Sequence, residues 1–399
     1  MKCKAVKISD RVYWVGAIDW TVRDFHGYST EFGTTYNAYL ILGDKVTLID
    51  AVKAPFKDEL LSRISSVIKP EKIDYIISNH AEMDHSGALP DVILAIRPKK
   101  VFASVMGVKT LQDQFHSGLE LIPLQDGDTL SLGAINLRFL ETRMLHWPDS
   151  MMSYLVEERT LFSQDGFGMH WATSARFADE LEENTLRYQA AKYYANILLP
   201  YSALVGKLIE RLKKLALPID IIAPDHGPIW RKNPTAVVSW YQEWAQQKPK
   251  KKAVVVYDTM WGSTDILART IGDAIAEHGV EVKVMRLRAN NRSDVVTEIL
   301  DAAAVIVGSP TLNNGIFPTV ADLLSYLQGL KPKDKLGAVF GSYGWSGGAV
   351  SILAEELKGT GIELVADPLK VKFMPDEEAL RRCREMGSLI AGRIEERSV

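Results

Sequence analysis

From Ala253 onward the sequence repeats a pattern that few folds can satisfy: a short continuous apolar run, a polar loop, then a longer amphipathic stretch. Ala253-Val254-Val255-Val256-Tyr257 has no polar face, so as a strand it needs cover on both sides of its sheet. Comparable runs recur at residues 281–287, 303–308, 336–341 and 362–365. Helical periodicity lies between them and is clearest at 263–278 and 377–396. Five strands alternating with five helices in about 145 residues predict a doubly wound α/β domain with a parallel sheet. In such a sheet, ligands gather outside the carboxyl ends of the strands.

Residues 1–248 follow a different rule. Segments 37–43 and 46–50 read as a hairpin turned at Gly43-Asp44-Lys45, and 73–79, 153–156 and 219–223 as further short strands. Helical spacing runs from 185 to 215 with a break at Pro200, and a helix at 237–247 closes the segment. The basic run Lys248-Pro249-Lys250-Lys251-Lys252 separates the two regions and reads as a solvated hinge, which places the domains at 1–248 and 249–399.

Composition narrows the function classes. With 399 residues, 47% of them apolar and 24% charged, the chain can bury more than one ordinary core. A net charge of −3 argues against a nucleic-acid binder, which normally carries a basic surplus. Cys3 and Cys383 are too few for a disulfide framework, a zinc ribbon or a cysteine-ligated iron–sulfur cluster, and fit a reducing compartment. The first residues lack the apolar core of a signal peptide, and no run of about 18 apolar residues exists, so a cytoplasmic protein is expected.

The chemistry-bearing segment is His80-Ala81-Glu82-Met83-Asp84-His85, which leaves a predicted strand and enters a helix near Ser86-Gly87. An extended run would put His80, Glu82 and Asp84 on one side, with His85 turning in as the helix begins. Further candidates stand at strand ends: His146, Asp165 and His226. Four imidazoles and three carboxylates exceed what one tetrahedral ion can use, and fit two metals sharing a carboxylate. His116 and His278 stand apart and read as ordinary surface or core residues, and Trp147 reads as core.

His-x-Glu-x-Asp-His followed by isolated His, Asp and His resembles the metallo-β-lactamase fold, whose hydrolases carry His-x-His-x-Asp-His. Glu82 stands where those enzymes have histidine. That substitution, with a flavodoxin-like domain behind it, is the mark of the flavodiiron family, and the resemblance covers essentially the whole chain. It implies an αββα sandwich followed by a doubly wound flavodoxin-like sheet. It assigns His80, Glu82 and His146 to one iron, Asp84, His85 and His226 to the other, and Asp165 to the bridge. It also implies that His26 and His170 line the diiron pocket and that Tyr193-Tyr194 supplies an aromatic hydroxyl near the substrate. The sequence does not choose between the two; Tyr194 is taken as the expected one. A hard anionic ligand in place of a neutral imidazole suits iron, which cycles between charge states, better than redox-inert zinc.

Three loops of the second domain make a candidate flavin site. Thr259-Met260-Trp261-Gly262-Ser263-Thr264 opens a helix, where backbone N–H groups and hydroxyls can cradle a phosphate. It resembles the flavodoxin pattern Ser/Thr-x-Thr-Gly-x-Thr, with Trp261 replacing the middle threonine. After the third strand come Pro310, Thr311, Asn313, Asn314 and Gly315, and after the fourth Ser342, Tyr343, Gly344, Trp345, Gly347 and Gly348. Polar backbone there can bind an isoalloxazine edge while Tyr343 or Trp345 stacks on its face. The Gly341–Gly347 run has glycines at the spacing of a dinucleotide fingerprint but lacks the position and acidic partner of one.

The resemblance therefore implies an enzyme that reduces dioxygen to water or nitric oxide to nitrous oxide at two irons, with FMN passing electrons from an external donor. No C-x-x-C pair occurs, so the donor is expected to be a separate protein, rubredoxin or similar. Family members form head-to-tail homodimers, and that assembly is expected here. Two rivals make different demands: a zinc hydrolase with a flavodoxin-like appendage, and an FMN-binding carrier that turns nothing over.

Overall fold

The computed structural model describes residues 3–116 and 118–398; Met1, Lys2, Ser117 and Val399 lie outside them. The chain divides into two compact units. One runs to His26 and continues through Thr30–Tyr193 and Ala203–Gln242; the other takes Gly27–Ser29, Tyr194–Ser202 and the chain from Glu243. The division falls within the helix Pro234–Ala245, six residues before the boundary placed at the basic run.

The first unit is a sandwich of two sheets. Seven strands lie in the order Val6–Lys7, Val12–Trp14, Tyr39–Ile41, Thr47–Ile49, Tyr75–Ser78, Lys100–Ser104, Leu121–Leu124. Five more lie in the order Thr129–Ser131, Asn136–Glu141, Met151–Leu155, Thr160–Gln164, Ile221–Pro224. Side-chain alternation explains the layering. Tyr39, Ile49 and Ile77 point into the sandwich with Leu137, Phe139 and Phe162 of the second sheet. Their neighbours Leu40, Leu48 and Ile76 face the other way, under Leu60, Ile64, Val92, Ile96 and Leu111 of the helices Lys57–Ser65, Leu89–Ile96 and Val105–Phe115. On the second sheet, Arg211 of the helix Ser202–Leu215 donates to the Glu141 carbonyl.

In the second unit the main strands are ordered Glu281–Arg286, Lys250–Tyr257, Ala302–Leu312, Leu336–Tyr343, Glu363–Leu364, all parallel. That is the 2-1-3-4-5 order of a flavodoxin-like sheet. The apolar runs are buried as their composition demands: Val254, Val255 and Val256, and Val305, Ile306 and Val307, have no exposed surface.

Four expectations change. The basic run is not a solvated hinge: the first strand begins at Lys250, Lys250 pairs with Glu243 and Asp301, and Lys252 pairs with Glu298 and Asp301. The helical stretch broken at Pro200 is interrupted for longer, by a wide turn at Tyr194–Leu198 and a tight one at Leu199–Tyr201, between the helices Glu183–Tyr193 and Ser202–Leu215. The fifth strand shrinks to Glu363–Leu364, and Leu369–Lys372 takes over the pairing with Leu336–Tyr343. The metal-ligand loop is not extended throughout: Met83–Ser86 is already a helical turn, with Glu82 as its N-cap.

Candidate metal centre and flavin pocket

Each segment that carries a candidate ligand sits at the end of a sandwich strand. The strand Tyr75–Ser78 delivers His80, Thr160–Gln164 delivers Asp165 and Ile221–Pro224 delivers His226, while His146 lies in the loop before Met151–Leu155. Strands buried along most of their length thus end in polar loops at one place. The loops bring seven donors into two groups. His80, Glu82, His146 and Asp165 offer atoms within 4.8 Å of one another, as do Asp84, His85 and His226.

Asp165 joins the groups. Its Oδ2 lies 3.0 Å from His146 Nε2 and 3.4 Å from His80 Nε2, while its Oδ1 lies 3.1 Å from His85 Nε2 and 3.4 Å from His226 Nε2. Glu82 Oε2 faces His80 Nε2 at 3.3 Å and His146 Nε2 at 3.2 Å. Asp84 faces His85 Nε2 at 3.3 Å and His226 Nε2 at 3.1 Å. Several of these atoms are buried with no hydrogen-bond partner: His80 Nε2, His85 Nε2, Asp165 Oδ1 and both Asp84 oxygens. Buried polar atoms are nearly always satisfied, so lone pairs converging without partners fit cations. Oxygen and imidazole donors together suit iron.

The imidazoles are aimed from behind. His80 Nδ1 lies 3.0 Å from Asp149 Oδ2, which also accepts the Ala81 N–H at 2.6 Å. His226 Nδ1 donates to the Thr35 carbonyl at 2.6 Å. Both bonds commit Nδ1 and leave Nε2 facing the other ligands. Behind His85, Asp225 Oδ2 stands 3.6 Å from Nδ1. Asp149, Asp225 and Thr35 were not among the residues singled out from sequence. The signal was weak: Asp149 follows His146 by three residues and Asp225 precedes His226, but neither sits in a ligand-like pattern.

The protein's own charges already polarise the cluster. Burial pushes the Asp165 carboxyl up, but His85, His146 and His80 outweigh it and hold it well below its ordinary value. Burial likewise opposes charge on His80, yet Asp149, Glu82 and Asp165 hold it well above the usual range. His85 is lifted to about 10, against its burial, by Asp84 and Asp165. Three ionised carboxylates in a buried site form a nest for positive charge.

His26 and His170 occupy different surroundings. The His26 side chain is largely exposed, with Nε2 3.4 Å from Glu82 Oε1, at the edge of the cluster. His170 is buried, its Nδ1 2.8 Å from Thr34 Oγ1 and its ring 4.6 Å from that of His226. Burial and His226 together push it well below the usual imidazole value, so it is neutral. Trp147 packs edge-on to His80 at 5.4 Å, while His116 and His278 are exposed.

The expectation for Tyr194 is corrected. Tyr193, not Tyr194, faces the cluster: its ring lies 5.2 Å from His170 and 6.2 Å from His226. Tyr194 turns away, donating to Ser202 Oγ at 3.0 Å with its ring 5.5 Å from Trp244. Successive helical residues are about 100° apart, so only one can face a given wall. Both are buried, and burial pattern alone could not separate them. Burial and then Asp165 raise the Tyr193 phenol well above its ordinary value, keeping it a neutral O–H donor.

In the second unit, a cavity of about 560 Å³ opens at the carboxyl ends of the strands. Met260, Trp261, Ser263, Pro310, Thr311, Asn313, Asn314, Ser342, Tyr343, Gly344 and Trp345 line it as anticipated. Ser346 lines it too, from the loop after Leu336–Tyr343; Phe373 and Met374 also line it and were missed, because the short strand Leu369–Lys372 that precedes them was not recognised. Thr259, Gly262, Thr264, Gly315, Gly347 and Gly348 are not on its wall. Thr259 Oγ1 instead accepts the Gly262 N–H, and Thr264 Oγ1 bonds Ser342 Oγ at 2.8 Å, so these hydroxyls brace the loops. Gly262 has φ +92, a conformation that opens the helix Ser263–Ala276 and suits glycine.

The cavity fits FMN on its own features. Trp261 and Trp345 are 91% and 93% exposed, large apolar rings that a planar heterocycle would cover. The helix N-terminus supplies N–H groups for a phosphate. Thr311 Oγ1 is buried without a partner.

A two-sheet sandwich with two groups of metal-type donors that meet at Asp165, carried in one chain with a flavodoxin-like unit, defines a flavin-linked dinuclear-metal protein. The comparisons agree. Residues 34–227 match the ODP family beta lactamase model, and 255–387 match the flavodoxin model. A nitric oxide reductase of Moorella thermoacetica is 47% identical over 98% of both chains. The rubredoxin oxygen:oxidoreductase structure from Desulfovibrio gigas superposes with a TM-score of 0.97 at 46% identity, covering 99% of this chain and all of that one. The flavodiiron protein structure from Giardia intestinalis gives 0.96 at 34% identity, covering all of this chain and 98% of that one. The chain belongs to the flavodiiron family.

Proposed function

We propose that this protein reduces dioxygen to water, nitric oxide to nitrous oxide, or both, drawing electrons from a rubredoxin-type donor protein. One observation carries the reading: the two oxygens of Asp165 are divided between the two donor groups, the geometry a bridging carboxylate needs. A single-metal site has no use for that division, and Glu82, a hard anionic donor where the hydrolases carry histidine, favours iron over zinc at the pair.

His80, Glu82 and His146 would hold one iron, Asp84, His85 and His226 the other, and Asp165 both. When bound, the irons would supply redox chemistry at the substrate and FMN a one-electron relay from the donor. The chain's residues do the rest. Asp149 and the Thr35 carbonyl hold their histidines in the tautomer that faces the metal positions. Tyr193 presents a protonated hydroxyl, and neutral His170 is fixed by Thr34, so both can donate or pass protons to a reduced oxygen without adding charge to a buried site. His26 stands at the solvent side, its Nε2 3.4 Å from Glu82 Oε1. In the second unit, Trp345, Trp261 and Phe373 would cover the flavin ring, and the start of the helix Ser263–Ala276 would take its phosphate.

The functional domains are taken as 1–248 for the diiron site and 249–399 for FMN. Among the described residues no helix is long and apolar enough to cross a membrane, and a cytoplasmic location is part of the proposal. So is a head-to-tail homodimer in which one protomer's flavin serves its partner's irons. The test is anaerobic turnover with reduced rubredoxin as donor: consumption of O2 or NO that depends on both iron and FMN is expected. Donor oxidation unaffected by removing iron would overturn the reading.

A further inference from the structure

The helix Glu183–Tyr193 buries two residues that packing alone would not choose. Gln189 is 3% exposed and Lys192 is fully buried. Both reach the same carboxylate: Lys192 Nζ lies 2.6 Å from Glu31 Oε2, and Gln189 Nε2 lies 3.3 Å from Glu31 Oε1. A buried ammonium is costly even when paired, and an apolar residue of similar volume often serves stability as well or better. A device of this kind needs another reason.

The reason is visible in what the two partners are attached to. Glu31 sits in the turn closed by the Gly33 N–H on the Thr30 carbonyl, and this turn leads directly into Thr34 and Thr35. Thr34 Oγ1 fixes His170, and the Thr35 carbonyl fixes His226. Lys192 is followed at once by Tyr193, whose ring packs on those same two imidazoles. The path closes on itself: from Glu31 through Thr34 and Thr35 to His170 and His226, across to Tyr193, and back through Lys192.

We infer that the Glu31–Lys192 ion pair is a clamp that sets the distance between Tyr193 and His170 beside the metal positions, and that these are positioning residues for the reduction. The inference rests on the proposed function only for its kinetic consequence. Its geometric part stands separately.

The test uses the iron- and FMN-loaded full chain. Glu31→Gln removes the charge from the half-exposed partner. We expect iron and FMN contents to stay at the wild-type level, kcat to fall by up to about tenfold, no more than loss of the Tyr193 hydroxyl itself costs, and KM to change far less. In the Tyr193→Phe background, the same substitution should cost little more, because the clamp acts through that residue. Glu31→Leu/Lys192→Met should recover the wild-type melting temperature without recovering kcat, which separates positioning from packing. A crystal structure of Glu31→Gln should show the Tyr193 ring displaced from its 5.2 Å approach to His170. An unmoved ring, wild-type kcat in the apolar pair, or full additivity with Tyr193→Phe would each overturn the clamp. If the wild-type chain reduced neither O2 nor NO, the functional reading would fall and the crystal structure would still decide the clamp.

Discussion

In the N-terminal unit the metal-facing side chains are held from behind: His80 by Asp149, His226 by the Thr35 carbonyl, with Asp165 only 1% exposed. In the C-terminal unit the flavin pocket is an open cavity rimmed by Trp261, Trp345, Phe373 and Met374, all more than half exposed. The contrast follows from what each ligand requires. A metal ion is small and judges its site by lone-pair direction, so second partners must fix every donor. A planar cofactor is large, and its binding gains most from covering apolar surface, which loops can offer with little internal order. Substitutions should therefore act sharply and cooperatively in the first unit and gradually in the second.

The largest effect is expected at the bridge. Asp165→Ala should lose both irons and at least ~100-fold in turnover, more than an outer partner costs, while flavin content stays unchanged. Iron and flavin analysis would check it, and one retained iron would mean the carboxylate is not shared. Next, Asp149→Ala should weaken metal binding by about 10- to 100-fold through His80, a loss visible in a chelator competition. Third, Tyr193→Phe should lower kcat by about tenfold or more, as loss of a positioned proton donor does, whereas Tyr194→Phe should stay within about twofold. Equal effects would remove the distinction drawn between the two.

The open site should respond more mildly. Trp345→Ala is expected to weaken FMN binding by about tenfold, the scale of one lost stacking contact, with iron untouched. Fluorescence titration of the flavin-free protein would measure it. The smallest effect concerns Asp301, half-buried beside the first strand of the second unit's sheet. Burial would raise the Asp301 carboxyl, but Lys252 and Lys250 hold it below its ordinary value. A depressed folded value means the stabilisation is present above the unfolded value and lost as pH falls through the folded one. Asp301→Asn should therefore lower the melting temperature by a few degrees at about pH 7 and by much less at about pH 3.

The same contrast explains what could be read from sequence. The seven donors that the structure gathers into two groups were legible as candidates because ionisable side chains crowd at strand ends where nothing else needs them. The apolar runs from Ala253 onward revealed the parallel sheet for the same reason, since only burial on both faces tolerates them. Asp149 and Asp225 were not legible, because a carboxylate that orients a histidine is defined by a contact across 69 or 140 positions, not by a local pattern. Tyr193 and Tyr194 could not be separated because the choice lies in where one helix stops and a wider turn begins. Phe373 and Met374 were missed because a four-residue strand with two lysines, Leu369–Lys372, looks like a loop. Lys250 and Lys252 misled in the opposite direction: a basic run looks solvated until the acids that face it are known.

The central claim is that one chain holds a carboxylate-bridged iron pair and a flavin. Metal and flavin analysis of the protein purified anaerobically tests it most directly. About two iron ions and about one FMN per chain are expected. Zinc in place of iron, or a chain that binds iron but no flavin, would contradict it.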